Sequence, residues 1–153
     1  MKRWENSFGF TLVEVIISIG VLGLVCALVL RLFVTANEIS LKSKNEDLAS
    51  VYAISAIEKC KSADTINKML ESFEQEGAKI TKKNDSTAIE YFYDEDWEKL
   101  EYKSNNSKPS YLLLLTLKNS TNKVYDMNSK VFQIDKKTDS KVLITEIITK
   151  KYF

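Results

Sequence analysis

Glu14 is the single charged residue in the 21-residue run from Phe10 to Leu30, FTLVEVIISIGVLGLVCALVL. An acid inside a spanning helix costs about 2.5–3.5 kcal/mol on insertion scales, so one that is kept there needs a partner and a purpose. Proteolysis is one chemistry that would make the partner. If the bond between Gly9 and Phe10 opens, a new α-amine appears four residues before Glu14. It lies at a helix start, where the dipole also favours negative charge.

Other reactive residue types are sparse. Histidine is absent, which removes the commonest general base and metal ligand, and with them Ser-His, Cys-His and His-based zinc chemistry. No Gly-rich phosphate loop, CxxC pair or spaced nucleophile motif is present, so no enzymatic activity and no cofactor are expected. Cys26 lies in the apolar run and Cys60 lies 34 residues later. If the stretch between them is helical they stand on the order of 50 Å apart, too far for a disulfide, and two free thiols are predicted. The segment Tyr93 to Trp97 (YDEDW) gathers Asp94, Glu95 and Asp96. Calcium loops alternate their ligands rather than stacking them consecutively, so a solvated turn is expected there and no metal site. Basic and acidic residues number 22 and 21, which leaves no broad positive field for phosphates; no nucleic-acid partner is predicted. Arg3 and Arg31 are the only arginines among many lysines, a composition that hints at an AT-rich bacterial genome.

The element that must position Glu14 is a helix. A run of about 21 apolar residues crosses a hydrocarbon core of roughly 30 Å. Lys2 and Arg3 ahead of it hold the N-terminus in the cytoplasm, and Arg31 alone opposes them, so the body faces outward. An ordinary signal peptide would be cut after the run, where Val34-Thr35-Ala36 matches a cleavage site poorly. Lipidation is disfavoured because Cys26 follows Leu24 and Val25. An uncleaved single-pass anchor carrying an extracellular binding module is the alternative. Gly20, Gly23 and Ala27 offer small surfaces for close helix approach, Gly23 and Ala27 in small-xxx-small spacing; ordinary membrane-helix composition explains them equally.

Gly9-Phe10-Thr11-Leu12-Val13-Glu14, a short basic leader before it and an apolar run after it resemble the class III signal of type IV pilins and pseudopilins. The likeness spans Lys2 to about Leu30, and Gly23 falls where many pilins carry glycine. It implies a leader over residues 1–9, cleavage by a prepilin peptidase between Gly9 and Phe10, and N-methylation of Phe10. It further implies pairing of Glu14 with a neighbouring subunit's terminal amine. The implied partners are other pilin subunits, the peptidase and an inner-membrane assembly platform. The chain would begin in the bacterial cytoplasmic membrane and end in a cell-surface or periplasmic filament. Many major pilins have proline at the position of Arg31, whereas here Pro109 is the only proline. Its absence predicts a stiffer rod and favours a minor pilin or pseudopilin.

Residues 31–153 are expected to continue the helix and form a small globular domain. Asn37 to Asp47 is polar apart from Ile39 and Leu41. A broad apolar face then returns through Leu48, Val51, Tyr52, Ile54 and Ile57. Asp64 as cap and Gly77 as stop bracket a short second helix containing Ile66, Met69, Leu70 and Phe73. Period-two patterning marks strands at Ala88–Tyr93, Tyr111–Leu117, Val124–Ile134 with a break near Asn128, and Lys141–Thr149. Lys150 to Phe153 should finish the last strand. The connectors Lys118–Asn122 and Asp135–Ser140 are short enough for antiparallel hairpins. Lys103–Ser110 reads as an exposed loop. The predicted class is α+β: a long helix packed on an antiparallel sheet of about three to four strands, which is also what the pilin resemblance implies.

Overall fold

The computed structural model describes residues 11–83, 85–101, 108–121 and 124–152. They divide into two compact units, Met1–Ser43 and Lys44–Phe153. Helix α1, Leu12–Ser62, is 51 residues long and contributes to both. No proline interrupts it, so every interior N–H remains available for the i to i−4 ladder.

In the first unit α1 stands by itself. Every described residue from Thr11 to Ser43 is exposed, and the helix is long and apolar enough to cross a membrane. Hydroxyls in it turn back on the backbone, Ser18 Oγ donating to the Glu14 carbonyl at 2.7 Å and Thr35 Oγ1 to the Arg31 carbonyl at 3.1 Å. Such bonds leave no hydroxyl unsatisfied in an apolar surrounding.

In the second unit the end of α1 and helix α2, Ile66–Gln75, cover one face of a six-stranded antiparallel sheet. The strands are β1 Lys79–Lys83, β2 Ser86–Tyr93, β3 Lys99–Leu100, β4 Tyr111–Thr121, β5 Val124–Ile134 and β6 Lys141–Tyr152. Their order is β1-β2-β4-β5-β6, and β3 pairs with the last two residues of β2 beyond the reach of β1. The helix-facing residues follow the period of two: Ile89, Tyr91 and Tyr93 on β2, Tyr111, Leu113, Leu115 and Leu117 on β4, Met127 and Val131 on β5. Each large side chain buried this way contributes about 1.5–3 kcal/mol.

The α+β class holds, with six strands rather than three or four. β1 (KITKK) and the two-residue β3 carry no run of alternating apolar residues, and backbone pairing alone recruits them. No break occurs near Asn128, which is paired on both sides, with Thr116 and with Ile148. The register slips elsewhere, between Val131 and Phe132 against β6 and between Asn119 and Thr121 against β5. Strand β4 runs on through most of the expected connector after Leu117, and β6 extends to Tyr152.

The buried face of α1 is narrower than the sequence suggests. Ala49, Ala53, Ala56, Ile57 and Cys60 are buried, whereas Val51 and Ile54 are exposed. Alanines at this spacing let the helix axis lie close to the aromatic floor, and larger residues on the same stripe would hold it off. The N-cap position of α2 is Thr65, not Asp64, and its side chain makes no capping hydrogen bond: its extended backbone (φ −138°, ψ 150°) precedes the first helical bond, from Met69 N–H to the Thr65 carbonyl. Gly77 ends it as expected, at φ +81°. Ala78 N–H donates to the Phe73 carbonyl and Gly77 N–H to the Glu74 carbonyl, which is the Schellman arrangement.

Candidate processing and assembly site

The N-terminal site begins at Thr11. This residue precedes the first turn of α1, and Glu14 is the third residue of that turn. Glu14 N–H donates to Thr11 Oγ1 at 3.3 Å, while the Glu14 carboxylate accepts from Thr11 N–H at 3.2 Å and from Thr11 Oγ1 at 3.3 Å. This reciprocal pattern is a capping box, in which two backbone donors that a helix start leaves open are satisfied by one pair of side chains. The carboxylate is thus placed at the positive end of the helix dipole. The Thr-x-x-Glu spacing is legible in the sequence, yet attention to the acid alone passes over Thr11.

Gly9 and Phe10, the residues expected at the cleaved bond, lie outside the described residues, as does the leader. Gly20 and Gly23 have open space where a Cβ would stand, so nothing in this chain itself requires glycine at either position. Ala27 is exposed beside them. Around these three the large apolar side chains, among them Leu22, Leu24 and Leu28, are exposed as well. The first unit therefore presents an apolar helix with a polar, self-capped start and no partner surface among its own described residues.

Residues 5–30 match the family model described as the prokaryotic N-terminal methylation motif. The chain carries that motif. It covers Gly9, Phe10, Thr11, Glu14, Gly20, Gly23 and Ala27 together. This motif fits the class III signal of type IV pilins and pseudopilins, a class whose members in general meet a prepilin peptidase and other pilins. Membrane anchoring before entry into a filament fits the long apolar helix. No curated protein and no solved structure matches the chain.

Outside the motif, the second unit carries two arrangements that sequence reading did not anticipate. In YDEDW, Asp94 Oδ1 accepts from the N–H groups of Asp96 and Glu98, both at 2.9 Å, so this carboxylate builds the turn. Among the described residues no group of three or more Asp, Glu or Cys is placed to hold a metal ion. Trp97, at φ 64°, is buried rather than solvated. Its ring stacks between Tyr52 and Tyr111, with centroid distances of 5.4 and 4.1 Å, and its indole N–H donates to Asn45 Oδ1 at 3.2 Å. The turn is a device for returning an aromatic side chain to the core.

The second arrangement centres on Glu76, just after α2. Its carboxylate is bound by Lys59 of α1, by Lys99 of β3 at 3.2 Å and by the Tyr91 hydroxyl of β2 at 3.1 Å. The hydrogen bond from Lys59 is the largest cause that holds its pKa down, at about 2. One side chain thus ties four elements. Most of the loop expected at Lys103–Ser110 lies outside the described residues. Ser110 itself is buried, its N–H donating to the Tyr93 carbonyl and its carbonyl accepting from Ile134 N–H, both at 2.8 Å. Cys26 and Cys60 are free thiols, as expected.

Proposed function

We propose that this chain is a structural subunit of a type IV pilus-like filament, a minor pilin or pseudopilin, processed between Gly9 and Phe10 and assembled through α1. The observation that carries the reading is the methylation motif over residues 5–30, with Glu14 four residues behind the junction in an unbroken apolar helix. In this reading cleavage frees the Phe10 amine, which the same peptidase methylates. Glu14 then exchanges its bond to Thr11 for the terminal amine of a neighbouring subunit. Gly20, Gly23 and Ala27 lie where neighbouring helices approach. The subunit performs no catalysis. Apolar packing in the filament core replaces lipid, and the ion pair sets the register. The absence of proline from α1 supports the minor pilin or pseudopilin assignment.

The experiment is the intact mass of the chain recovered from filaments of its native host. The expected species begins at Phe10 and carries one added methyl group. Assembled material that begins at Met1 overturns the proposal.

The capping box favours a second reading. Because Thr11 already satisfies Glu14 locally, the acid can be tolerated at the edge of a membrane helix without any cleavage, as in an uncleaved single-pass anchor bearing a binding module. In that case Gly9→Val leaves surface function unchanged.

A further inference from the structure

The two edges of the sheet differ. Strand β1, at one edge, has five residues of which Lys79, Lys82 and Lys83 are charged; a short, lysine-rich strand is how natural sheets discourage another strand from adding. Strand β6, at the other, is twelve residues long and pairs with β5 on one side only. Between Val142 and Thr149 its only charge is Glu146. That carboxylate is held by Lys130 at 3.0 Å and accepts from Asn128 Nδ2 at 2.8 Å. That middle stretch, with its one charge already paired, offers its backbone N–H and C=O groups to a further strand.

Apolar exposure points to the same strand. Among the described residues of the second unit outside α1, the exposed large hydrophobic side chains are Val142 at 60%, Leu143 at 46%, Ile148 at 68% and Tyr152 at 68%, all on β6. On the sheet face turned away from the helices, Glu146, Ile148 and Lys150 stand opposite Lys130, Asn128 and Asp126 of β5. Lys150 lies 3.2 Å from Asp126.

We propose that β6 is the seat of a second copy of this chain, the two β6 strands pairing antiparallel about a two-fold axis at Ile148. Charge selects this register. An axis at Glu146 or at Lys150 sets like charges directly opposite, which is destabilising, and an axis at Ile147 or Thr149 leaves Glu146 facing an uncharged residue. With the axis at Ile148, Glu146 of each copy faces Lys150 of the other, and the two Ile148 side chains meet between the pairs. The charges then alternate across the joined sheets, from Lys130 to Glu146 to Lys150 to Asp126. Two-fold pairing of identical patches is the commonest way in which identical chains associate. It does not depend on removal of the leader, so it stands or falls separately from the filament reading.

The test uses the full chain held in membranes of a host without other pilins, with Cys26→Ala to remove the exposed native thiol. Directly opposed residues in an antiparallel pair have Cα atoms about 4.5–5.5 Å apart, within the span of a disulfide. Mild oxidation of an Ile148→Cys variant is expected to give several-fold more covalent dimer than a Val142→Cys variant, because this register sets the two copies of position 142 on opposite sides of the axis and far apart along the strand pair. Separately, Ile148→Lys, which sets two lysines against each other on the axis, is expected to lower the dimer fraction of the detergent-solubilised chain. Equal cross-linking at both positions, or none at Ile148→Cys, overturns the proposal. Quenching of a fluorophore at position 148 by lipid-borne quenchers also overturns it, because the bilayer would then cover this edge.

Discussion

At the scale of single residues, Glu14 and Glu76 are two acids with opposite needs. Glu14 is held by a neutral threonine alone among the described residues, whereas Glu76 already has two lysines and a tyrosine. Replacing Glu14 with alanine is expected to leave membrane insertion intact and reduce incorporation into filaments at least several-fold, as read by the filament-to-membrane ratio on immunoblots. Normal incorporation would refute the assembly role of Glu14. For Glu76 the sign follows from a folded pKa of about 2 against an ordinary 4.5. Its contribution is complete above about pH 4.5 and disappears as pH falls through that window toward 2. Since the carboxylate is about half exposed, solvent screening leaves about 1 kcal/mol. A Glu76→Gln variant should melt a few degrees lower at pH 7 and show a flatter acid limb below pH 4.5. Burial raises the Tyr91 and Tyr93 hydroxyls above their ordinary 10.0, so above about pH 10 the unfolded chain gives up protons that the folded one keeps and stability falls.

At the scale of elements, joints decide more than propensities. Gly77 closes α2 at φ +81°, a conformation that costs any residue with a Cβ roughly 1–2 kcal/mol. Gly77→Ala should lower stability by about that amount in thermal melts, and Gly77→Asn by less. Lys151 near the end of β6 makes a different joint. Its ammonium donates to the carbonyls of Cys60 at 2.9 Å, Lys61 at 2.6 Å and Ala63, at and just past the end of α1, where helix carbonyls lack an intrahelical partner. Lys151→Met is expected to cost about 1–3 kcal/mol, read from denaturant midpoints with an unchanged slope. Sequence showed the four strands with apolar alternation and the glycine stop, because periodicity and backbone strain are local properties. It missed β1, β3 and the burial of Trp97. β1 and β3 join neighbouring β2 by backbone pairing, Ile80 opposite Ile89 and Leu100 opposite Phe92, with no apolar alternation to mark them, whereas the indole depends on Tyr52, far back in α1, and on Tyr111. The candidate site was legible down to Glu14 because an acid in an apolar run stands out. Thr11 is legible only through the Thr-x-x-Glu spacing, a weaker signal than the acid itself because polar residues are common at helix starts.

At the scale of the molecule, the two units divide the work. The first presents apolar side chains and a capped start; the second folds around its own aromatic core. Blocking the junction tests the division: Gly9→Val is expected to keep the full-length chain in the membrane, with a normally folded second unit by protease resistance, and out of filaments. Unimpaired assembly of that uncleaved variant would contradict the processing step. Cys60 gives this architecture one more property. Its thiol is buried in the last turn of α1, and burial pushes its pKa up to about 12, so at neutral pH an alkylating reagent meets neither an accessible sulfur nor a thiolate. Only when that turn lifts away from the strands does the sulfur become reactive. The rate at which Cys60 is labelled is therefore a built-in clock for the detachment of the helix end, readable in the intact chain without introducing any new residue.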